Sequence, residues 1–493
     1  MTASASMSDW RSFVTSWVYQ HLAMRRALPL AVLTLWGCLS TLGLLIHPVT
    51  PRGLVLQSSA PFFTARGVGI DYYQFWVVGQ AQERLHLDNI YSMQDRQRLA
   101  DLGREMLRSS PEPSMRLAGS VEFRQRIIET FSTPFLYAII DTFASDQYDR
   151  DYDHFMNICL VVLVLSIIAM GWLLRFSLVE SLLFAVVVVL WCEPLASDLR
   201  VGNVNQLQLA GIALYLLSRC RPGSLLMDIF GGLVLGLLVA FKPTLGVIPM
   251  LLVLAWIIDR RWLTLKRQGV AAMTALGVAF VVGCRFLNSW SAWSNWVNAL
   301  SDLEKVSDIS VGIGNLSLSQ VIFETTRGAA GGGVNLSLIL LILVLVLASV
   351  ALLLTRPGTP STVDNRQVWF ERDFLVTALG GALSILALRL VWLHYYILII
   401  PLLLYVLRPG AWIRPNTAAS SRLRLLLVMG GLVLAWLSLA AVFGRPFALL
   451  VEPSPPTSVS LYIGGAWGLM LLGLAGLWLP STSLQQATAP SNK

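Results

Sequence analysis

The sequence predicts an all-α polytopic integral membrane protein, with about twelve transmembrane helices and further interfacial helices on its outer side. Of the 493 residues, 55% are hydrophobic and only 13% are charged, whereas a soluble domain has about 25% charged residues. Apolar runs long enough to cross a bilayer recur along almost the whole chain. The net charge of +8 fits a basic inner membrane face better than nucleic-acid binding.

The apolar runs and the polar intervals between them define the expected organisation. A bilayer span needs about 20 apolar residues. The predicted spans lie at 27–46, 154–174, 177–195, 204–218, 225–241, 243–258, 268–287, 335–355, 373–390, 392–408, 422–443 and 459–479. Only Lys242 and Pro243 separate two of these spans. We interpret them as a tight turn at a membrane face, because proline breaks a helix and lysine is costly in mid-bilayer.

The lysines and arginines predict the orientation. They concentrate in the short loops that an arrangement with the N-terminus inside places on the inner side, and inner loops of membrane proteins are enriched in these residues. Both termini are therefore expected inside, with a long outer loop at 47–153 and a second outer loop at 288–334. The whole chain, 1–493, is expected to form a single transmembrane domain with a disordered polar tail at 481–493.

Cysteine usage and the N-terminus narrow the class further. The five cysteines lie in or beside hydrophobic runs and form no CxxC pair, so neither a disulfide framework nor a metal site is predicted. The first apolar run is long enough to span and lacks a small-residue cleavage site, so it is not expected to be a cleaved signal.

The two outer loops contain amphipathic segments. Residues 71–108 show helical spacing of apolar residues with charges between them, which predicts an interfacial helix. The apolar run 131–144 is short for a span, which favours a re-entrant or interfacial element. Trp290, Trp293 and Trp296 recur every three residues, so they are expected on one helix face as anchors at the headgroup level.

The unusual polar residues all fall on the predicted outer side. They are Asp71, Asp198, Arg200, Asn203, Asn205, Gln206, Lys242, Asn315, Ser317, Arg389 and His394. Ionisable residues within or beside membrane segments are functional candidates by default. Cations around one carboxylate suit an anionic lipid phosphate beside an acid–base residue.

Each candidate also has a purely structural interpretation. Asp71 precedes an amphipathic helix and could be its N-cap. Lys242 could extend its ammonium group to the headgroups. His394 stands before two tyrosines, as expected in an aromatic belt, and the Gly-Asn sequence at Asn203 is good turn chemistry.

Six short segments share their order and spacing with a known family. They are Asp71-Tyr72-Tyr73, Phe131-Ser132-Thr133-Pro134-Phe135, Gly202-Asn203-Val204-Asn205, Ala240-Phe241-Lys242-Pro243, Gly314-Asn315-Leu316-Ser317-Leu318 and Trp392-Leu393-His394-Tyr395. Together they resemble glycosyltransferase family 87, polyprenyl-phosphate-sugar-dependent enzymes that include bacterial α-1,2-mannosyltransferases. The resemblance extends from Asp71 to about Pro401. Asn203, Leu316 and Tyr395 depart from the family pattern at positions where sugar or acceptor contacts are expected.

The resemblance implies a GT-C membrane fold and a specific chemistry. Asp71 would be the general base of an inverting transfer from a polyprenyl-phosphate sugar, with mannose as the family default and arabinofuranose as an alternative, to a glycolipid or glycan acceptor. Lys242, His394, Arg200 and Arg389 would bind the donor phosphate. The implied sugar or acceptor contacts are Tyr72, Tyr73, Asn203, Asn205, Gln206, Asn315 and Tyr395. No metal or other cofactor is expected, because the donor is a monophosphate.

Two other function classes remain open at this point. A lipid or sugar transporter or flippase would have similar spans, although transporters place their charges at the midplane and often show inverted repeats. A non-catalytic assembly protein would leave the aromatic-flanked Asp71 without a purpose. As an enzyme, the protein is expected in the bacterial inner membrane, among membrane lipids, with its site facing the periplasm.

Overall fold

The computed structural model of the chain describes residues 69–301 apart from 86, 88, 110, 111 and 121, together with 315–325, 333–354 and 365–408. Its α-helices are α1 Ile70–Arg84, α2 Met93–Ser109, α3 Pro113–Gly119, α4 Pro134–Asp141, α5 Tyr148–Leu173, α6 Leu178–Trp191, α7 Glu193–Val201, α8 Asn205–Ser218, α9 Leu225–Phe241, α10 Val247–Ile258, α11 Trp262–Phe286, α12 Ala292–Ser301, α13 Leu318–Thr325, α14 Gly333–Leu354, α15 Asn365–Ala387 and α16 Ile400–Leu407. Short 3-10 helices lie at Glu122–Gln125, Pro243–Gly246 and Leu393–Ile399. No strand occurs among these residues, so the predicted all-α class is confirmed for this part of the chain.

Three described helical segments are long and apolar enough to cross a membrane. They are α5 with 26 residues, α11 with 25 residues, and Leu336–Leu353 within α14. Helices α6 and α7 would give a fourth span if they are counted together, although the chain bends by 62° between them. These four correspond to the predicted spans at 154–174, 177–195, 268–287 and 335–355.

The other predicted spans are shorter, more charged or outside the described residues. The helices at 225–241, 243–258 and 393–405 are apolar but short, and α8 has only 14 residues. Helix α15 has 23 residues, and its first three turns contain several charged side chains. The predicted spans 27–46, 422–443 and 459–479 and the tail 481–493 lie outside the described residues. The total of about twelve spans therefore stays a prediction.

The predicted interfacial helix over 71–108 is two helices rather than one. The chain leaves helical conformation after Arg84 and resumes it at Met93. Helix α1 is buried on most of its surface, including the continuous run from Phe75 to Ala81. It is a packed core element, because α2, α3, α4 and α7 cover it. Helix α2 has the amphipathic character that the prediction required.

Helix α4 occupies the apolar run predicted to be re-entrant or interfacial. Its eight residues cannot cross a bilayer. Thr133 caps it, because its Oγ1 accepts a hydrogen bond from the Leu136 backbone N–H at 3.1 Å. The same hydroxyl donates to the carbonyl oxygen of Ala240 at 2.8 Å. This contact attaches α4 to the end of α9, directly before Lys242.

Helices α8 and α9 connect two polar regions that lie at opposite ends of this helix pair. They are joined by a short turn, and α8, with 14 residues, is about 21 Å long. Asn205 starts α8 and Lys242 follows α9, so both lie at one end. At the other end Arg219 pairs with Asp228 at 2.7 Å and with Asp373 at 2.9 Å, and all three side chains are fully buried.

Candidate functional site

Two glycine turns hold the candidate site together. Gly69 precedes α1 with φ 65° and Gly202 follows α7 with φ 71°, a left-handed conformation that glycine adopts most readily. The Gly69 backbone N–H donates to the Arg200 carbonyl oxygen at 3.1 Å. A Cβ atom at Gly202 would lie 2.8 Å from side-chain atoms of Tyr72 and Tyr152 and 3.2 Å from the Gly69 Cα. The two turns therefore touch, and Asp71 is brought beside Asn203.

An aromatic cluster packs against these two turns. The Tyr148 hydroxyl donates to the Gly69 carbonyl oxygen at 2.8 Å, and the Tyr152 hydroxyl donates to the Leu199 carbonyl oxygen. Tyr72 stacks on Phe155 with 5.0 Å between ring centroids. The Tyr72 hydroxyl donates to the Phe143 carbonyl oxygen at 3.3 Å. These rings fix the start of α1 relative to α7.

Tyr72 and Tyr73 were candidates for sugar contact. Their exposed fractions are 0% and 2%, and both rings pack against Tyr148. Burial raises the pKa of Tyr73 to about 12, so its hydroxyl stays protonated at neutral pH. In this structure the two side chains support the site rather than line an opening, and their contact with sugar stays a prediction.

Asp71 has a partly exposed carboxylate and lies in the cluster of side chains around Asn203. It is not the N-cap of α1, because that position is Gly69. Its carboxylate is 21% exposed and lies 3.6 Å from Arg124 Nη2 and 4.0 Å from His394 Nε2. Its Oδ2 accepts a hydrogen bond from Asn203 Nδ2 at 2.7 Å. Cationic and amide donors on one side leave its exposed part available to a ligand.

Asn203 connects Asp71 to His394. Its Oδ1 accepts a hydrogen bond from the backbone N–H of Val204 at 2.8 Å. Because a backbone N–H can only donate, this contact fixes the amide orientation and turns the Nδ2 hydrogens toward Asp71 and His394. The distance from Nδ2 to His394 Nε2 is 3.2 Å. His394 therefore accepts at Nε2 as a neutral ring, and its Nδ1–H is the nitrogen that can donate.

Lys242 supplies a cation close to His394 and Tyr395. Its Nζ lies 4.1 Å from the centre of the Tyr395 ring, a cation–π distance. That ring lies 4.9 Å from the His394 ring. Burial lowers the pKa of Lys242 to about 8, and the carboxylates of Asp198 and Asp71 oppose this effect. The ammonium form still predominates at neutral pH.

Asp198 and Asn205 lie in the interior beside this cluster. Asn205 Nδ2 donates to Asp198 Oδ1 at 2.7 Å, and both side chains are fully buried. Asn205 Nδ2 also lies 3.4 Å from Asn203 Oδ1. Gln206 is fully buried as well, and its amide has no hydrogen-bond partner in the described part of the chain. Asn205 therefore braces Asn203, whereas Gln206 has no described contact with the cluster.

Asn315 and the two remaining arginines are placed by backbone contacts. Asn315 Nδ2 donates to the Arg389 carbonyl oxygen at 3.1 Å, and its Oδ1 accepts from the Val391 N–H at 3.0 Å. These bonds fix the segment that leads to His394. The Arg389 side chain is half-buried, and Arg200 is exposed. Binding of a phosphate by Arg200 or Arg389 stays a prediction.

Arg124 is a site residue that the sequence did not indicate. Its side chain is 4% exposed, and its Nη2 lies 3.6 Å from Asp71 Oδ1 and 3.8 Å from Glu129 Oε2. Its Nη1 donates to the Ile70 carbonyl oxygen. Arg124 belongs to a long loop with many basic residues and to none of the recognised segments, so the sequence contained no signal for it.

The arrangement brings together Asp71, Asn203, His394, Tyr395 and Lys242. A base, a hydrogen-bonding amide and a cation are thus present within one cluster, which suits acid–base chemistry beside an anionic group. Within the described ranges, no three histidine, cysteine, aspartate or glutamate side chains come together in a way that could hold a metal ion.

Comparison with known proteins gives one family match. Residues 154–368 match the model of Glycosyltransferase family 87. No curated protein and no solved structure matches the chain. The matched region contains Asn203 and Lys242, whereas Asp71 and His394 lie outside it. Over residues 154–368 the chain is therefore similar to glycosyltransferase family 87, which indicates a glycosyltransferase.

Proposed function

We propose that this protein transfers a sugar from a polyprenyl-phosphate donor to a glycolipid or glycan acceptor, with inversion and with Asp71 as the general base. The observation that carries this proposal is the environment of Asp71. It is a partly exposed carboxylate that accepts a 2.7 Å hydrogen bond from Asn203, in a cluster that also contains the Lys242 ammonium group. A base and a phosphate-binding cation are the two groups that such a transfer requires.

The proposed reaction is a single displacement at the anomeric carbon. The acceptor hydroxyl oxygen forms a bond to the anomeric carbon of the donor sugar, and its proton passes to the Asp71 carboxylate. The bond between the anomeric carbon and the phosphate oxygen breaks, and the electron pair stays with the polyprenyl phosphate. The leaving phosphate gains a negative charge, which the Lys242 ammonium group stabilises.

The nature of the sugar and the location of the reaction also belong to this proposal. Mannose is the sugar that the family resemblance favours, and arabinofuranose would need the same phosphate chemistry. The site would face the periplasm of a bacterial inner membrane, at the level where a lipid-linked donor presents its phosphate. A leaving monophosphate can be stabilised by Lys242 and the Nδ1–H of His394, so metal-independent transfer is expected.

Replacing the proposed base provides the decisive test. We expect Asp71→Asn to reduce transfer from a radiolabelled polyprenyl-phosphate mannose by at least about 100-fold, because general-base catalysis contributes roughly 10²–10⁴. Asn can still accept the hydrogen bond from Asn203, so the fold and donor binding should be retained. The matched control is Asp101→Asn, since Asp101 is exposed on α2 and pairs with Arg104.

The outcomes of this experiment also separate the competing functions. Full transfer by Asp71→Asn would refute Asp71 as the base. Movement of the lipid-linked sugar across proteoliposomes without any transfer to an acceptor would instead support a transporter or flippase.

A further inference from the structure

A buried guanidinium lies between two partly exposed carboxylates at the edge of the site. Arg124 Nη2 is 3.6 Å from Asp71 Oδ1 and 3.8 Å from Glu129 Oε2. The Arg124 side chain is 4% exposed, whereas those of Asp71 and Glu129 are 21% and 27% exposed. One nitrogen thus faces both carboxylates, and both carboxylates reach the surface.

Arg124 is itself anchored to the helix that carries the proposed base. Its Nη1 donates to the carbonyl oxygen of Ile70, the residue that precedes Asp71. The two ends of the guanidinium therefore contact the backbone and the side chains around the base. A planar guanidinium can make such contacts simultaneously, whereas an ammonium group offers only a point charge.

Without this cation the two carboxylates would repel each other. Both lie within 4 Å of the same nitrogen atom, so two negative charges are held at close range. Keeping two ionised carboxylates this close costs free energy, which Arg124 offsets. Because the second carboxylate, Glu129, adds this cost, we expect it to have a function in the site.

We infer that Glu129 binds the acceptor sugar, and that Arg124 is a positioning residue that holds Glu129 and Asp71 in one acceptor subsite. This inference rests on the proposed glycosyl transfer. While Asp71 takes the proton of the reacting hydroxyl, Glu129 accepts a hydrogen bond from a neighbouring hydroxyl of the same sugar ring. The substrate class is thus an acceptor with adjacent free hydroxyls.

The sugar chemistry supports this assignment. An ionised carboxylate is an acceptor-only group, and hydrogen bonds from neutral donors to it are stronger than neutral pairs. Two carboxylates facing one guanidinium can receive two hydroxyls from adjacent carbons of a ring. An acceptor that lacks the second hydroxyl would leave Glu129 without that bond and should bind more weakly.

The first experiment measures acceptor recognition by Glu129→Gln in lipid nanodiscs. The probe is octyl α-mannoside, compared with its 3-deoxy analogue. We expect Glu129→Gln to raise the acceptor KM about tenfold, as for the loss of a charged hydrogen bond, and to leave the donor KM within about twofold. Wild type should discriminate against the deoxy analogue, and the variant should not. An unchanged acceptor KM would overturn the inference.

The second experiment tests the positioning role by epistasis. Arg124→Met should lower kcat at least about tenfold, because the carboxylates then repel each other. The double variant Arg124→Met/Glu129→Gln should recover part of this kcat, since one of the two charges is gone. Loss of packing alone would not be rescued by Glu129→Gln. A double variant no more active than Arg124→Met would therefore contradict the positioning role.

Controls keep this inference separable from the proposed transfer. Arg98→Met removes a half-exposed arginine that pairs with Asp95, and it should leave both constants unchanged. Binding of octyl α-mannoside in the absence of any donor measures the effect of Glu129→Gln on acceptor affinity, independently of the transfer step. Weaker binding by Glu129→Gln would support the acceptor subsite even if the polyprenyl-phosphate donor were the wrong one, and equal binding would refute it.

Discussion

At the scale of single residues, the charge of Lys242 connects the geometry of the site to its pH dependence. Lys242 is half-buried and lies against the Tyr395 ring at 4.1 Å. Burial lowers its pKa to about 8, well below the ordinary value of a lysine. A lysine is charged below its pKa, so the group is an ammonium ion at neutral pH and loses its proton as the pH rises through about 8.

This titration predicts an alkaline limb in the pH profile. If Lys242 binds the donor phosphate as proposed, kcat/KM for the donor should fall as the pH rises above about 8, because only the ammonium form attracts an anion. The value of kcat/KM reports ionisations of the free enzyme, for which this pKa applies. A transfer assay between pH 6 and 10 measures the profile.

The control for this profile is Lys242→Arg. Arginine remains charged throughout the range, so the variant should lack the alkaline limb whatever its absolute activity. If Lys242→Arg shows the same limb as wild type, another group causes it.

At the scale of elements, the site depends on two turns rather than on any one helix. The turn at Gly69 starts α1 and the turn at Gly202 ends α7, and each leaves no room for a side chain. Tyr152 and Tyr72 occupy the space that a Cβ at Gly202 would need. The 2.7 Å hydrogen bond between Asn203 and Asp71 follows from this contact between turns.

The glycine at 202 can be tested against a matched glycine in the same chain. Gly223 also has a positive φ, 86°, but nothing lies within 4 Å of its Cβ position. Gly223→Ala should cost only the backbone strain of about 1–2 kcal/mol. Gly202→Ala should cost a further 1–3 kcal/mol, roughly, for overpacking.

Thermal unfolding in detergent and transfer activity measure the two consequences. Gly202→Ala should lose activity beyond its loss of folded protein, because Asn203 moves away from Asp71. Equal stability and equal activity for the two alanine variants would show that the contact between turns is not required.

The elements also show where sequence reasoning works and where it ends. Charge bias and spacing predicted that Asp71, Asn203, Lys242 and His394 lie on one face, and the structure brings these four side chains together. The break after Arg84 was missed, since apolar spacing continues through it. Burial of Tyr72 and Tyr73 was missed because an aromatic pair at a membrane surface has the same sequence pattern as one in a core. Arg124 meets Asp71 only through the tertiary fold.

At the scale of the whole molecule, two polar regions lie at opposite ends of α8 and α9. One is the candidate site. The other is a buried ion-pair network in which Asp373 accepts from Arg219 and from both terminal nitrogens of Arg261, at 2.7–2.9 Å. Breaking a buried pair costs about 3–5 kcal/mol, so this network holds α8, α9, α11 and α15 together. The polar ends and the apolar length between them suit a bilayer protein.

The orientation of these two ends is open to a labelling test. Cys220 is exposed beside the ion-pair network, on the predicted inner side, and Ser294 is exposed on α12, on the predicted outer side. With Cys38 replaced by serine, an impermeant maleimide should label Ser294→Cys on intact cells. It should label Cys220 only after permeabilisation, and the reverse pattern would invert the topology.

The separation between the matched region and the proposed base has a consequence for what a match to this family implies. Residues 154–368 contain Asn203 and Lys242, but Asp71 comes from a segment before this region and His394 from one after it. A mutation in either flanking segment could remove the chemistry while the matched region stays intact. Such a chain would be a pseudoenzyme that keeps the match to the family without the transfer activity. A match to the family can thus persist after catalytic competence is lost.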